Sequence, residues 1–282
     1  MNIIKKSLAA LISFVVASTA CELQAVVPAS VMTQTIPAAE PVATQDVYPN
    51  DHGKSLTTPV AWGAGYGTLY FGVGFTSRVP YVHGPAFSNK VGDGAYAMGF
   101  GIGNPVDNVA LQTTLTQYDI TSENKWGMSF QLSHYISSSK AIAVGTQEVM
   151  LSKGENISRS YYIVYSQGVE AKPFVNTKTG KTALHYSIGV GNGIYGNKQS
   201  DDVSAGKGEH GTYVFGNVAY ELLDEFNVVT DWNGINWNAG IAKTFFLTKS
   251  IPLIITAGAA DLTSNSGDGA RMIVGVGSGI SF

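Results

Sequence analysis

The chain ends on a run that alternates with a period of two. In RMIVGVGSGISF, one parity carries the apolar residues Met272, Val274, Val276, Ile280 and Phe282. The other parity is arginine, glycine or serine except at one isoleucine. This pattern predicts a β-strand with one apolar face and one small or polar face. Because chain ends are usually frayed and polar, an apolar strand that ends on an aromatic residue is expected to be fixed in a larger sheet.

The composition indicates what the apolar face contacts. Charged residues make up 13% of the 282-residue chain, about half the usual fraction of a soluble domain. The longest apolar run, residues 251–260, is too short for a spanning helix, which needs about 20 residues. A membrane protein without spanning helices must be a closed barrel, because lipid offers no partner to free backbone groups. The net charge of −3 gives no basic surface for nucleic acid.

Three segments follow from composition along the chain. A basic start and an apolar stretch over 8–20 predict a cleaved signal peptide over residues 1–25. Cys21, the sole cysteine, either leaves with this peptide or is lipidated, since STAC loosely resembles a bacterial lipobox. Residues 26–61 are rich in Pro, Ala, Thr and Val and predict an extended or disordered leader. Residues 62–282 are predicted to form the barrel.

Runs of strand length alternate with turn-forming clusters throughout the predicted barrel. They predict an all-β fold of about twelve strands, with 10–14 possible. Glu148 shares the parity of the apolar Ile142 and Val144 in the fifth run, which indicates either a β-bulge or a different register there. Short connections alternate with longer ones, the pattern of periplasmic turns and external loops. The predicted strands are 64–77, 95–104, 109–120, 126–137, 140–151, 158–170, 183–195, 211–222, 226–233, 236–246, 251–262 and 271–282.

The tryptophans fall near predicted strand ends, as in an aromatic girdle at the membrane interfaces. Trp126, Trp232 and Trp237 are expected at the outer interface and Trp62 at the inner one. With the terminal strand and its final Phe282, the chain resembles the bacterial outer-membrane β-barrels, including the porins. This resemblance implies an antiparallel up-and-down transmembrane barrel in the bacterial outer membrane. It also implies that outer-membrane lipids and the barrel-assembly machinery are partners, the latter reading the terminal strand.

The hairpin over residues 226–241 is the most structured candidate site. Its alternation turns amides and one carboxylate toward the lumen near the outer mouth, at Asn227, Asp231, Asn233, Asn236 and Asn238. Amides beside aromatics suit neutral polar solutes; the alternative is that these side chains only hydrate the lumen wall. Asp231 is expected to be an exposed carboxylate in a wet lumen, so that Asp231→Asn changes ion preference only modestly.

His185 and Ser187 form a His-x-Ser pair like that of outer-membrane lipid A deacylases. In those enzymes the pair faces lipid, whereas the alternation here turns both side chains into the lumen. No catalytic residue, cofactor or metal is therefore expected. The acidic loop 201–210 is interpreted as a solvated loop, with a divalent-ion site as the alternative.

The main hypothesis is a small passive pore for small neutral or zwitterionic solutes. The second hypothesis is a non-conducting structural or adhesive barrel that displays its loops. The third is an outer-membrane lipid-modifying enzyme. A twelve-stranded barrel lies between barrels filled by side chains and barrels that leave a channel. The long first loop or residues 26–60 are two segments that could fold inward and plug the lumen.

Overall fold

The computed structural model describes residues 54–88, 91–118, 120, 125–150, 152, 158–176, 180–248 and 251–282. The predicted signal peptide, Cys21 and residues 26–53 of the predicted leader lie outside the described residues. The rest of the leader, residues 54–61, has no regular secondary structure.

Twelve strands form one closed antiparallel sheet, which confirms the predicted up-and-down barrel. Each strand pairs with its neighbours in sequence, and the last strand pairs with the first. The strands are β1 (Thr68–Thr76), β2 (Asp93–Gly103), β3 (Ala110–Gln117), β4 (Trp126–Ser137), β5 (Lys140–Val149), β6 (Ser160–Gly168), β7 (Leu184–Gly191), β8 (Val214–Leu223), β9 (Phe226–Trp232), β10 (Trp237–Thr248), β11 (Ile251–Ala260) and β12 (Arg271–Ser281).

Alternation along the strands gives the barrel an apolar exterior. In β1 the side chains of Leu69, Phe71 and Phe75 are exposed, whereas the intervening Tyr70 is buried. The same outward face continues around the barrel with exposed Met98, Phe100, Ile102, Leu111, Leu115, Leu132, Ile163, Ile188, Val218, Val228 and Ile241. Such a band is what a transmembrane barrel presents to lipid. In the described part of the chain, no helix has the length and apolar character needed to cross a bilayer.

The two ends of the barrel differ in their connections. The end that carries the connections 77–92, 192–213 and 261–270 is called the loop end. The opposite end, the turn end, has short connections except between β6 and β7. The loop end also contains a short helix, α1 (Ser200–Ser204).

The predicted irregularity at Glu148 is confirmed. Met128 pairs with Val149 and Phe130 pairs with Thr146, so two residues of β5 oppose one residue of β4. Glu148 has a φ of 58° and is buried. The bulge therefore bends β5 near the loop end; such bulges are common at barrel rims.

The terminal strand closes the barrel at the turn end. Leu69 lies opposite Ile280 in the β1–β12 register, and the N–H of Phe282 donates to the carbonyl oxygen of Gly67 at 3.1 Å. Gly67 has a φ of 78°, and an added Cβ would lie 2.3 Å from the carbonyl oxygen of Phe282. Glycine is therefore needed where the chain enters β1.

Candidate functional site in the barrel lumen

The segment that precedes β1 crosses the inside of the barrel. Residues 54–65, called the luminal segment, run from the level of Asp231 near the loop end to the turn end, where β1 begins. Most of these residues are buried, although they belong to no strand. The lumen is therefore occupied by the chain itself along this path.

One carboxylate holds the beginning of the luminal segment. Asp231 of β9 is 0% exposed, and its Oδ2 accepts from the N–H of Thr57 at 2.7 Å and from the hydroxyl of Ser55 at 3.1 Å. The N–H groups of Leu56 and Thr58 and the hydroxyl of Thr57 also point to this oxygen, at 3.2, 3.2 and 3.1 Å. This arrangement of Asp231 around residues 55–58 is called the latch. Hydrogen bonds to a charged acceptor are roughly twice as strong as neutral ones.

The second half of the segment is held by side chains of the wall. Ala61 donates its N–H to the Ser166 hydroxyl at 2.8 Å, and Ala64 donates its N–H to Gln112 Oε1 at 2.8 Å. The Tyr135 hydroxyl donates to the carbonyl oxygen of Gly63 at 2.8 Å. Because all strand edges are paired in a closed barrel, side chains must satisfy the backbone groups of anything inside it.

Apolar contacts complete the docking of the luminal segment. Trp62 packs edge-on against Tyr135, with ring centroids 5.0 Å apart. Leu56 packs in a buried cluster with Ala219, Val229, Ala242, Ala260 and Ile273. A second cluster contains Val60, Ala61, Trp62, Tyr135, Ala141, Ala143, Tyr162, Val164, Tyr195 and Phe215. The segment thus fills the lumen with apolar as well as polar groups.

The prediction that Trp62 lies at the inner membrane interface is wrong. Its side chain is 3% exposed and lies in the lumen. The predicted first strand began at residue 64, whereas β1 begins at Thr68, so Trp62 precedes the point where the chain enters the wall. Trp126 and Trp237 have exposed side chains at the loop end, and the ring centroids of Trp232 and Trp237 are 5.6 Å apart.

The expectation that Asp231 is an exposed carboxylate is also wrong, because the luminal segment covers it. Asn238 faces the lumen beside it and donates from Nδ2 to Asp231 Oδ1 at 2.8 Å. Asn227 and Asn236 are buried. Asn233 instead serves the hairpin turn, since its Oδ1 accepts from the N–H of Asn236 at 2.7 Å.

The His-x-Ser pair makes contacts along the wall. His185 Nε2 lies 2.6 Å from Thr182 Oγ1, and the Ser187 hydroxyl lies 2.8 Å from that of Ser166. Both side chains are buried on the lumen side, where Ser166 also binds the luminal segment. These contacts support a structural role for the pair.

The residues of the predicted assembly signal have the orientation that their parity indicates. Met272 and Ile280 are exposed on the outer face, Val274 and Val276 are half-buried, and Ile273 between them is buried in the lumen. Phe282 is 80% exposed at the turn end.

The sequence comparisons give no family: no protein-family model matches the chain, and no curated protein matches it. Three solved structures illustrate the similarity in architecture. A KdgM porin in complex with disordered oligogalacturonate has a TM-score of 0.44 and 9% identity over 76% of this chain and 99% of its own. The NanC porin has a TM-score of 0.42 and 12% identity, over 76% of this chain and 100% of its own. Outer membrane phospholipase A from Escherichia coli has a TM-score of 0.41 and 12% identity, over 77% of this chain and 98% of its own.

By fold, this chain is a porin-like β-barrel. Its closed sheet of twelve antiparallel strands, apolar exterior and unequal ends are the features of that architecture.

Sequence reasoning missed most residues that hold the luminal segment of this porin-like barrel. Ser55, Thr57 and Thr58 carry no periodic signal, and their partner Asp231 lies more than 170 positions away. The available signal was the change of texture before β1, where KSLTTPVAWGAG has a single charge and no strand period.

A cluster of hydrogen bonds joins three loops at the loop end. Asp202 of α1 is buried, and its Oδ1 accepts from the Tyr81 hydroxyl at 2.6 Å and from the N–H of Gly267 at 2.7 Å. Its Oδ2 accepts from the Ser266 hydroxyl at 2.5 Å. These four residues, Tyr81, Asp202, Ser266 and Gly267, are called the loop cluster.

Acid is expected to loosen the loop cluster. Burial by itself raises the pKa of Asp202, but hydrogen bonds from Ser266, Tyr81 and Gly267 outweigh burial and hold the pKa below its ordinary value. The stabilisation by this carboxylate is therefore fully present above the ordinary pKa of about 4 and is lost as the pH falls through the lower, folded value. Proteolysis of the 192–213 loop should be constant from about pH 7 to 5 and should increase below about pH 4.

Two variants test the assignment of this pH dependence. Asp202→Asn should abolish the acid step, whereas Tyr213→Phe, which removes hydrogen bonds to Asn197 and His210 within the same loop, should retain it. A step near pH 6.5 would instead indicate titration of a histidine and would contradict the role of Asp202.

Proposed function

We propose that this protein is a bacterial outer-membrane pore for small neutral or zwitterionic solutes, closed by its own luminal segment. Support comes from the wall, whose buried inward side chains are largely small and polar. They include Gln112, Thr114, Thr116, Ser129, Gln131, Ser133, Ser166, Ser187, Asn217, Asn227, Thr244 and Thr256. With the luminal segment displaced, these side chains would line a wet passage.

The observation that carries this proposal is the way the luminal segment is held. Its partners on the wall are the side chains of Asp231, Ser166, Gln112 and Tyr135 and apolar clusters, whereas the strand ladders are complete without it. Displacing the segment would break these contacts and leave the sheet intact. This is what a removable closure requires.

The charges on the lumen side support weak ion selectivity. The buried charged side chains on the lumen side of the described residues carry both signs, at Lys54, Asp231, Asp261 and Arg271. Arg271 donates to Asp261 Oδ2 at 2.7 Å, which balances both charges. Strong selectivity usually uses rings of one sign, so solutes without net charge fit this lumen best.

The filled lumen also favours a second candidate, a non-conducting barrel that displays its loops. In this case the luminal segment would be a permanent core that stabilises the barrel. The two buried apolar clusters around Leu56 and Trp62 are the observation that supports it.

Swelling of liposomes that contain the refolded full chain separates the two candidates. The test variant replaces residues 55–62 by a glycine–serine segment of equal length, which removes the apolar side chains that the segment contributes to both clusters and disrupts the latch. The matched control is Asn227→Ala, which alters an inward residue of β9 outside the latch. Solutes of similar size are a neutral sugar, a zwitterionic amino acid, a cation and an anion.

The full chain and the control should admit these solutes slowly, and the variant should admit them at least tenfold faster. Neutral and zwitterionic solutes should enter at similar rates. If the variant is folded, as judged by strand-rich circular dichroism and heat-modifiable migration, but no solute enters, the pore is refuted and the loop-displaying barrel is supported.

A further inference from the structure

We infer that the loop cluster controls the release of the luminal segment, through a chain of hydrogen bonds that ends at the latch. The inference deepens the proposed function, because it names what regulates the closure. It stands on contacts between residues from four connections at the loop end, three strands and the luminal segment.

The first part of the chain leads from the loop cluster to the barrel rim. Ser266 donates its hydroxyl to Asp202, and its carbonyl oxygen accepts from Asn236 Nδ2 at 3.1 Å. The same Asn236 nitrogen donates to Asp261 Oδ1 at 3.1 Å. Asn236 is therefore hydrogen-bonded both to the backbone of the 261–270 loop and to the Asp261 carboxylate at the start of that loop.

The second part leads from the rim to the luminal segment. The N–H of Asp261 donates to Asn238 Oδ1 at 2.9 Å. Asn238 Nδ2 then donates to Asp231 Oδ1 at 2.8 Å and to the Thr57 hydroxyl at 2.9 Å. One side chain thus contacts the loop, the latch carboxylate and the luminal segment.

Burial makes this chain sensitive to a change at either end. Asp202, Asn236, Asn238, Asp261, Arg271 and Asp231 are all buried. Inside a protein, a polar group that loses its partner is costly, so hydrogen-bonded neighbours tend to keep or change their arrangement together. Arg271 fixes one oxygen of Asp261, which leaves the other oxygen and the backbone N–H to Asn236 and Asn238.

The coupling has a direction that follows from these contacts. With the loop cluster intact, the 261–270 loop holds Asn236 and Asp261, and Asn238 is oriented to bind Asp231 and Thr57. When the loop cluster opens, this orientation is lost and the latch weakens. By thermodynamic linkage, release of the luminal segment must also loosen the loops.

A thiol reporter in the luminal segment tests the inference without relying on conduction. The reporter is Leu56→Cys, at a residue that is 0% exposed, in a full chain that also carries Cys21→Ser. The measurement is the rate at which a water-soluble maleimide modifies the reporter in folded protein. Asp202→Asn should raise this rate roughly tenfold, within the usual range of coupling between sites.

Control variants distinguish coupling from general loosening of the loops. Tyr213→Phe removes hydrogen bonds within the 192–213 loop that do not lead to Asn236, so the rate should stay within twofold of the parent. In an Asn236→Ala background, Asp202→Asn should add less than twofold, because the connection is already cut. If Asp202→Asn does not fold, Tyr81→Phe removes a single bond of the loop cluster and takes its place.

A parent-like rate in Asp202→Asn, with increased proteolysis of the 192–213 loop as proof that the loop cluster is open, would overturn the inference. A full tenfold effect that persists in the Asn236→Ala background would also overturn the proposed route. Failure of the proposed function is a separate result. If no variant conducts but the reporter responds as expected, the pore is refuted and the coupling stands.

Discussion

Replacing Asp231 with alanine should release the beginning of the luminal segment and give the largest functional change of any single substitution in the lumen. The carboxylate accepts two backbone N–H groups and two hydroxyl groups at 3.2 Å or less from Thr57, Thr58 and Ser55 alone. Hydrogen bonds to charged groups contribute about 1.5–3 kcal/mol each. Even two bonds of full strength would therefore amount to about 3 kcal/mol or more, roughly a hundredfold change in the population of the released state.

Planar-bilayer recordings and the thiol reporter at residue 56 measure this release. Asp231→Ala should give frequent openings where the parent is mostly closed, and fast modification of Leu56→Cys. Asp231→Asn keeps the shape but loses the charge, so its effect should be intermediate. The matched control is Asn227→Ala on the same face of β9, whose Nδ2 has no hydrogen-bond partner among the described residues. Parent-like behaviour of Asp231→Ala in both measurements would show that the latch does not hold the segment.

Deletion of Phe282 should strongly reduce the amount of assembled barrel while export continues. The aromatic ring is 80% exposed at the turn end, so it contributes little to the packing of the finished barrel. We propose instead that its position at the end of an alternating strand serves recognition during assembly. We expect a several-fold lower level in the outer membrane and accumulation of the mature chain in the periplasm.

Heat-modifiable migration of membrane fractions measures the assembled barrel. The matched control is Tyr66→Ala, which removes another aromatic side chain at the same end that is 78% exposed but is not terminal. Phe282→Tyr should assemble nearly normally because it keeps the terminal aromatic ring. Wild-type levels of folded barrel after deletion would contradict the role assigned to Phe282.

Most of the barrel wall could be predicted from the sequence because its signals are local. In a strand, alternate side chains face opposite sides, so period-two runs fix both the strands and their lipid-facing sides. All twelve predicted runs overlap observed strands, and β4 begins and ends where the sequence placed it. Even the bulge at Glu148 was visible as a break in parity.

Two strands, β6 and β8, alternate weakly between apolar and polar residues. In β6, both faces are apolar at one level, since Tyr161 and Ile163 face outward while Tyr162 and Val164 are buried. In β8, Phe215 is likewise an apolar side chain buried on the lumen side, and its ring stacks on that of Tyr195 with centroids 4.3 Å apart. The alternation fails there because the lumen contains apolar side chains and not only water.

The sequence by itself determined the wall: closed, twelve-stranded, apolar outside, and small or polar inside. Only the tertiary structure decided what fills it, because inward polar residues look the same whether they face water or another segment of the chain. The contacts of Asp231 with Ser55 and Thr57 join positions that are 176 and 174 residues apart, and no local period encodes such a pairing. They exist because a closed sheet leaves no backbone groups free inside, so a chain that enters the lumen must be held by individual side chains.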